Sequence, residues 1–426
     1  MSKEPSKLLE SAPLSRFHYL LLLIGCLVYA LTAMNTMLIG ATLPAIISEW
    51  GLGKVEAGLL ISSGLLGMFF GALSCGILAD TIGRRATLIL TVALMSVCTG
   101  LCGLAWDAQS MAFLRFLAGV GLGGALPQPG VYVAEYVPAK HRGKFLGLVE
   151  SSWAYGALLA VLFPYLLINY GWRTAYSVAF IPLLLIPAIL LVLPESIRYL
   201  ESKGRRDEAL EILRRRGLIT DGGKAEKPRI LELWSRAYWR RTLLLWILWF
   251  SLVYTYYGIF AWLPTIYAEL KGPAGALYRV LLITLLQIPG YYTATFLLDV
   301  VGRKPVLSAY LFMAGVGCGL LAVSSRGQMF LWSCMVSFFN LGAWAGLYTY
   351  TPELYPTRMR GTGFGSAASI GRIGGILTPT ITGYLLSIAG INLTFLVFAL
   401  IHIVAAAAVI TLGVETRRKT LEEISA

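Results

Sequence analysis

The stretch GILADTIGRR, residues 76–85, places an aspartate, a glycine and two arginines between two long apolar segments. A second stretch, FLLDVVGRK at residues 296–304, repeats the aspartate, the glycine and the first arginine in the same order and at the same spacing. Charged residues are rare in this chain, so a spaced set that returns half a chain later is a specific signal. The repeat predicts a protein built from two related halves.

The composition indicates a membrane protein. Of the 426 residues, 57% are hydrophobic and only 13% are charged, and the mean hydropathy is +0.72. A soluble domain needs more polar surface than this composition provides. The apolar segments reach about 20 residues, the length that a helix needs to cross a hydrocarbon core about 30 Å thick. We therefore expect an all-α integral membrane protein in contact with the lipid bilayer.

Twelve apolar segments can be placed as transmembrane helices, six before and six after a polar stretch in mid-chain. Their predicted bounds are residues 17–47, 54–79, 86–106, 109–134, 145–168, 173–193, 242–268, 276–298, 305–324, 328–351, 362–388 and 392–413. The predicted organisation is a tail at 1–16, a six-helix bundle at 17–193, a linker with a short amphipathic helix at 194–241, a second bundle at 242–413 and a tail at 414–426.

The positive charges orient these helices. Most of the 35 Lys and Arg residues fall in segments that would share one side of the membrane, above all in residues 198–241. This positive-inside bias predicts that both termini are cytoplasmic and that the protein lies in the cell membrane. It also accounts for the net charge of +13 without a nucleic-acid partner.

More charges repeat between the halves. EYVPAKHRGKFLG at 135–147 and ELYPTRMRGTGFG at 353–365 share a glutamate, an arginine–glycine pair and a final glycine, and a further glutamate follows the sixth and the twelfth segments. Such carboxylates can pair with arginines of neighbouring loops and cap helix N-termini. Doubling of this kind is typical of transporters that rock two similar bundles around a central site. The set is Asp80, Arg84, Glu135, Arg142 and Glu195, with Asp299, Arg303, Glu353, Arg360 and Glu415.

These motifs resemble those of the major facilitator superfamily of transporters, in which such charges latch the cytoplasmic side shut. RFLAGVGLGG at 115–124 resembles the glycine motif of the superfamily's fourth helix. PESIRYL at 194–200 and ETRRKTLEEI at 415–424 resemble the sugar porters and their relatives. GLVESSWAYG at 147–156 and YYGIFAWLP at 256–264 are similar to the niacin and aromatic-acid carriers. The resemblance implies two pseudo-symmetric six-helix bundles, alternating access and a cytoplasmic gate built from the repeated charges.

Charges within the predicted spans are functional candidates because burying them is costly. The resemblance implies that Arg115, in the fourth span, takes part in coupling. The alternative is that its side chain reaches the outer interface. Glu150, in the fifth, could carry a proton or hold a structural hydrogen bond. Arg372 lies among glycines in the eleventh span, and its guanidinium matches a carboxylate or a phosphate. GRIGG at 371–375 resembles the eleventh helix of organic-anion and aromatic-acid carriers. The alternative for Arg372 is pairing with Glu150 or with a gate acid.

Aromatic and amide side chains on other spans could line a cavity for a flat, partly apolar ligand. The seventh span lacks the glutamines that sugar porters use for hydroxyl groups, which argues against a hexose. His402 is expected to pack rather than to relay protons. The predicted substrate-binding residues are Arg372, Asn35, Tyr257, Gln287, Asn340, Trp344 and Tyr348.

The predicted function is secondary transport of a small organic anion, an aromatic or apolar monocarboxylate, by a monomer without enzymatic activity. Proton-coupled aromatic-acid carriers have aspartates in the first helix, whereas ALTAMNTMLIGATLP at 30–44 has Asn35. Proton coupling would then depend on Glu150 or Glu135, with Arg115 as a further candidate. The alternative is that the carrier is a uniporter or an exchanger. The rival hypotheses are a carrier of an organic cation or a neutral solute such as a sugar, and a non-transporting sensor. We expect no metal and no cofactor beyond a possible coupling proton.

Overall fold

The computed structural model describes residues 14–215, 230–236, 238–355 and 359–417. These residues form helices joined by short turns, and none of them lies in a strand. Most of the predicted N-terminal tail, the centre of the predicted linker and the end of the C-terminal tail lie outside the described residues. Two short helices, Ile197–Ser202 and Arg206–Arg215, occupy the first part of the linker.

Each predicted span overlaps one long helical segment of the described chain. Eleven of these segments are long and apolar enough to cross a membrane. The remaining one is a helix of 29 residues whose glycines, serines and threonines reduce its hydropathy. The segments are α1 Arg16–Trp50, α2 Lys54–Ile82, α3 Arg84–Leu104, α4 Ala108–Tyr136, α5 Ala139–Leu166, α6 Trp172–Val192, α7 Trp239–Leu270, α8 Gly272–Val300, α9 Arg303–Val323, α10 Met329–Glu353, α11 Arg360–Ile388 and α12 Gly390–Leu412.

Contacts divide the chain into two compact units. The first unit contains the described residues up to Thr36, then Leu66–Ala157, and then the chain from Arg173 into the linker. The second unit contains Met37–Leu65, Leu158–Trp172 and the described residues from Ile230 onward. The ends of α1 and α5 and the beginning of α2 therefore group with the second half of the sequence. The predicted bundles at 17–193 and 242–413 stay a prediction.

Glycines allow helices to approach closely in the first unit. A Cβ added to Gly123 of α4 would lie 2.0 Å from the carbonyl oxygen of Met68 in α2, and one added to Gly67 would lie 2.0 Å from that of Phe116. Such distances leave no room for a side chain. The glycine motif in α4 therefore packs backbone against backbone, as small residues do in membrane helix interfaces.

In the second unit, the beginning of α2 packs along α11. The Ser62 hydroxyl donates to the carbonyl of Ile376 at 2.8 Å and lies 2.9 Å from the Thr380 hydroxyl. A Cβ on Gly58 would lie 2.6 Å from the carbonyl oxygen of Pro379. We call this contact, made by Gly58 and Ser62 with residues 376–380, the α2–α11 seam.

Candidate functional site

The first copy of the charge motif joins α3, α4 and the segment after α6. Gly83 adopts a φ of +99°, a left-handed conformation that favours glycine, and a Cβ there would lie 2.4 Å from Glu195 Oε2. Glu195 Oε1 accepts hydrogen bonds from the backbone N–H groups of Arg84 at 2.7 Å and Arg85 at 3.2 Å, and so caps α3. The Arg84 side chain pairs with Glu135, Nε to Oε1, at 3.0 Å.

The second copy repeats these contacts. Gly302 has a φ of +130°, and a Cβ there would lie 2.7 Å from Glu415 Oε2. Glu415 accepts from the backbone N–H groups of Arg303 and Lys304, each at 3.0 Å, and caps α9. The Arg303 guanidinium contacts Glu353 through Nε at 3.1 Å and Nη2 at 3.0 Å. The sequence repeat is therefore also a repeat of side-chain geometry.

Backbone donors keep the capping carboxylate of the second copy charged. Burial raises the pKa of Glu415, but hydrogen bonds from the backbone N–H groups of Arg417, Arg303, Lys304 and Thr416 outweigh burial and hold the pKa below its usual value. The carboxylate is therefore an anion at neutral pH, as capping of a positive helix end requires.

The other predicted gate residues differ between the copies. Asp299 meets Arg303 at 3.2 Å, whereas Asp80 is exposed and makes no hydrogen bond or ion pair within the described ranges. Arg142 donates from Nε to the carbonyl of Val137 at 3.3 Å, and Arg360 begins α11. The two copies thus share the glutamate caps and the arginine–glutamate pairs. Their role as a gate stays a prediction.

An aromatic cluster lies in the second unit between α7, α10 and α11. The Trp249 ring centre is 5.8 Å from that of Trp344, 5.4 Å from that of Tyr348 and 5.1 Å from that of Phe364. Tyr256 continues the cluster, because its ring centre lies 6.2 Å from that of Trp344. The neighbouring Tyr257 ring is 5.7 Å from that of Tyr256. Three predicted substrate residues, Tyr257, Trp344 and Tyr348, therefore lie in or beside one aromatic cluster.

Three predicted substrate residues also carry buried polar atoms that have no hydrogen-bond partner among the described residues. The atoms are Gln287 Oε1, Asn340 Oδ1 and Trp344 Nε1. Asn340 and Trp344 are one turn apart on α10. The Ser337 hydroxyl donates to the carbonyl of Ile283 at 2.7 Å and fixes the register between α10 and α8. Gln287, one turn after Ile283, is therefore close in height to Asn340.

The amide nitrogen of Asn340 is already used within the protein. Asn340 Nδ2 lies 3.3 Å from Thr255 Oγ1 and 3.0 Å from His402 Nε2, and it joins α10 to α7 and α12. His402 is fully buried and its Nδ1 lies 2.8 Å from the Phe398 carbonyl. The sequence predicted that Asn340 lines a cavity and that His402 only packs. In the structure they form one polar cluster, and only the oxygen of Asn340 has no partner among the described residues.

Arg372 is half-buried on α11 and lies next to the aromatic cluster. The adjacent Gly371 faces Trp249 and Val253, and Gly375 faces Tyr257. Residues four apart on a helix lie on one face, about 6 Å apart along the axis. Arg372 is four residues before Ile376, which accepts the hydrogen bond of Ser62. Its side chain therefore begins one turn from the α2–α11 seam.

The first unit contains the other predicted membrane residues. Glu150 Oε2 accepts a hydrogen bond from the Tyr29 hydroxyl of α1. Arg115 is 1% exposed, and its Nε and Nη1 have no hydrogen-bond partner in the described chain. Asn35 is fully buried and donates to the carbonyl of Ala179 at 3.4 Å. Glu135 belongs to the charge motif, and the coupling roles of Glu150, Arg115 and Glu135 stay predictions.

The repeated charge motif and the long helices of the described chain agree with the result of a comparison with known protein families. The profile of a family described as "Sugar (and other) transporter" matches residues 32–426. The chain belongs to this family. It is an all-α integral membrane protein with the twelve-helix fold of the major facilitator superfamily, and it is a transporter rather than an enzyme.

Its relatives include carriers of aromatic acids. The chain is 37% identical over 431 residues to the niacin transporter NiaP of Acinetobacter baylyi, with 98% of each chain covered. It is 29% identical over 417 residues to the benzoate transport protein of the same organism, covering 91% of this chain and 88% of that one. The xylose transporter XylE of E. coli in a partially occluded inward open conformation has a TM-score of 0.78 at 18% identity, covering 95% of this chain and all of that chain. This last likeness shows the fold alone.

Sequence reasoning missed several residues that complete the site. Tyr29 binds Glu150, Thr255 and His402 hold Asn340, and Ser62 forms the seam. Each is an ordinary polar residue within an apolar helix, so composition gives no reason to select it. The one available signal is that a polar side chain in a membrane helix needs a partner, and that signal does not name the partner.

Proposed function

We propose that this transporter is a secondary carrier that moves small organic anions, aromatic monocarboxylates first among them, across the cell membrane by alternating access. The observation that carries the proposal is the position of Arg372 on α11. It directly follows Gly371, which packs against Trp249 of the aromatic cluster, and it is one turn before Ile376 of the α2–α11 seam. Support comes from relatives named for niacin and benzoate, which are both aromatic monocarboxylates.

In this proposal the two parts of the substrate bind to different groups. The carboxylate takes the planar fork of Arg372, which offers two parallel donors. The ring lies against Trp344, Tyr348 and Tyr257, since aromatic side chains supply large apolar contact area with few rotatable bonds. Gln287 and Asn340 approach the polar edge of the ring. Asn35 lies in the other compact unit, and its role in substrate binding stays a prediction.

Access to this site would be controlled at two places. The α2–α11 seam packs backbone atoms closely beside Arg372, so that opening it would expose the substrate's carboxylate to one side. The two charge motifs, with the pairs Arg84–Glu135 and Arg303–Glu353, would form the cytoplasmic gate. We propose a monomer with both termini in the cytoplasm, in agreement with the positive-inside bias.

Ligand-induced stabilisation of the purified protein tests this substrate class. Benzoate and nicotinate should each raise the midpoint of thermal unfolding in a saturable manner, because a ligand that binds only the folded state stabilises it by mass action. Tetraethylammonium and xylose, which represent the rival cation and sugar carriers, should leave the midpoint unchanged. Stabilisation by either of these two without stabilisation by any carboxylate would refute the proposal.

We further propose that Glu150 is the proton-coupling residue. The Tyr29 hydroxyl donates a hydrogen bond to the Glu150 carboxylate. Protonation of Glu150 would weaken that hydrogen bond, because a neutral acid is a poorer acceptor than a carboxylate. Protonation of Glu150 would therefore change the contact between α1 and α5. These helices pack so closely that a Cβ on Gly156 would lie 2.0 Å from the carbonyl oxygen of Ala30.

Replacing Glu150 by glutamine should remove the dependence of uptake on a proton gradient. Wild-type proteoliposomes with an acidic exterior should accumulate benzoate above its equilibrium level. E150Q should only equilibrate benzoate, because the glutamine amide is not protonated near neutral pH. The matched control is Glu56→Gln at the exposed beginning of α2, which should accumulate benzoate as the wild type does. Accumulation by E150Q at the wild-type level would exclude Glu150 as the coupling site.

A further inference from the structure

The hydrogen bonds around His402 determine which atoms of Asn340 can bind a ligand. His402 Nδ1 lies 2.8 Å from the carbonyl oxygen of Phe398. A carbonyl only accepts, so Nδ1 carries the hydrogen, and in the neutral ring Nε2 is then an acceptor. The group at 3.0 Å from Nε2 must therefore be a donor, which assigns the Asn340 amide nitrogen to that position.

Thr255 fixes the same orientation independently. Its hydroxyl donates to the carbonyl of Ser251 at 2.9 Å, so its oxygen accepts from Asn340 Nδ2 at 3.3 Å. Both hydrogens of the amide nitrogen are thus used. A flip of the amide would place an oxygen against two acceptors, and the amide is therefore held with Oδ1 in a single position.

Among the described residues that oxygen has no hydrogen-bond partner, although Asn340 is fully buried. Most buried polar atoms in native proteins are hydrogen-bonded, and leaving one unpaired costs as much as losing a hydrogen bond. Gln287 Oε1, close in height on α8, and Trp344 Nε1, one turn further on α10, are also buried and lack a partner in the part of the chain that the structure describes. Asn340 and Trp344 are one turn apart on α10, and the hydrogen bond from Ser337 to Ile283 brings Gln287 to a similar height on α8. Three unpaired atoms so arranged point to a ligand rather than to loose packing.

We propose that His402 and Thr255 position Asn340 so that its Oδ1 accepts a hydrogen bond from the ring of the substrate. The preferred substrate is then an aromatic monocarboxylate that bears an O–H or N–H donor on the ring, over one that bears none. This inference rests on the proposed function, because it takes the carboxylate to lie at Arg372. A site with a buried acceptor disfavours the ligand without the donor, since the acceptor is then left unpaired.

Binding of a matched ligand series tests the inference. Dissociation constants of benzoate and of 2-, 3- and 4-hydroxybenzoate are measured by thermal stabilisation of the full-length protein. At least one hydroxy isomer should bind about tenfold more tightly than benzoate. In Asn340→Leu this ratio should fall to near one while benzoate still binds. If no isomer binds more tightly than benzoate, or if the ratio survives in Asn340→Leu, the inference is wrong.

Variants of His402 separate positioning from packing. H402L removes the acceptor that holds the amide, and the ratio should fall as in Asn340→Leu. H402Q supplies an acceptor oxygen of similar reach and should keep most of the ratio. If H402L does not fold, T255V removes the second acceptor at nearly constant volume and should also lower the ratio. A residue that only packs would weaken all four ligands alike, and an unchanged ratio in H402L or T255V would contradict the positioning role.

Controls separate a specific role of Asn340 from a general effect of polar changes in α10. Thr349→Val removes a hydroxyl of α10 that donates to the carbonyl of Ala345 within the same helix, and it should leave the ratio unchanged. Loss of the ratio in this control would show that any polar change in α10 has the same effect and would refute the specific assignment. If none of the benzoates binds, the proposed function itself fails. If all bind equally, only the preference for a donor fails.

Discussion

Uptake of benzoate or nicotinate by proteoliposomes should fall about 100-fold or more when Arg372 is replaced by glutamine, because a desolvated carboxylate would lose its charged, bidentate partner. Glutamine keeps a similar length and one donor, so the loss reports on the charge and the fork rather than on a cavity. Arg372→Lys restores the charge without the planar fork and should recover part of the activity.

A matched arginine provides the control for this experiment. Arg326 is exposed in the turn between α9 and α10, and Arg326→Gln should transport as the wild type does. Binding should follow the same order, with the dissociation constant for benzoate rising in R372Q. Wild-type uptake by R372Q would show that the carboxylate binds elsewhere, and Arg115, the buried guanidinium of the first unit, would become the next residue to test.

Replacing Arg84 by alanine should destabilise the folded protein by about 3 kcal/mol, because a buried carboxylate would lose the positive charge that lies against it. Glu135 has a side chain that is only 3% exposed, and Arg84 Nε lies 3.0 Å from it. The double variant Arg84→Leu with Glu135→Leu should recover most of the loss, since a well-packed apolar pair can replace a buried ion pair. The midpoint of thermal unfolding in detergent measures both effects.

An exposed ion pair supplies the comparison for Arg84. Arg205 and Glu208 meet at 2.7 Å in the linker, and both side chains are about half exposed. Arg205→Ala should therefore leave the midpoint unchanged, because water already solvates both charges. If Arg84→Ala unfolds at the wild-type midpoint, or if the double leucine variant is less stable than the single variant, the pair does not stabilise the charge motif as described.

The fold could be predicted because membrane insertion imposes one simple rule on the sequence. Each apolar segment had to be long enough to cross the hydrocarbon core, and each of the twelve predicted segments overlaps a helix. The eleventh illustrates the limit of hydropathy, since Arg360–Ile388 is a full-length helix whose glycines and hydroxyl groups make it the least apolar. The predicted span at 362–388 nevertheless overlaps this helix.

The contacts of the charge motif were also accessible from sequence, because a repeated spacing implies repeated geometry. Glu195 and Glu415 cap α3 and α9 in the same way, and both loops contain a glycine with positive φ. The sequence could not indicate that Asp80 and Asp299 differ in their contacts. That difference depends on how the neighbouring arginine is directed, and Arg303 contacts both Asp299 and Glu353.

The substrate site could be predicted only as a set of residue types. Asn340 was selected as a polar residue within a span, but its partners lie 85 and 62 residues away in sequence, on other helices. The same holds for Tyr29 and Glu150, which are 121 residues apart. Which atom of the amide lacks a partner among the described residues, and which residues hold the other atom, follows only from the packing of three helices together.

Solute counterflow tests the central claim most directly, because it detects carrier-mediated exchange without knowledge of the coupling ion. Purified protein is reconstituted into liposomes loaded with unlabelled benzoate, and radiolabelled benzoate is added outside. We predict a transient accumulation of label that is abolished by excess benzoate or nicotinate, is unaffected by xylose or tetraethylammonium, and is lost in R372Q. Failure to exchange either carboxylate, with exchange of xylose or tetraethylammonium in the same vesicles, would contradict the assignment of an organic-anion carrier.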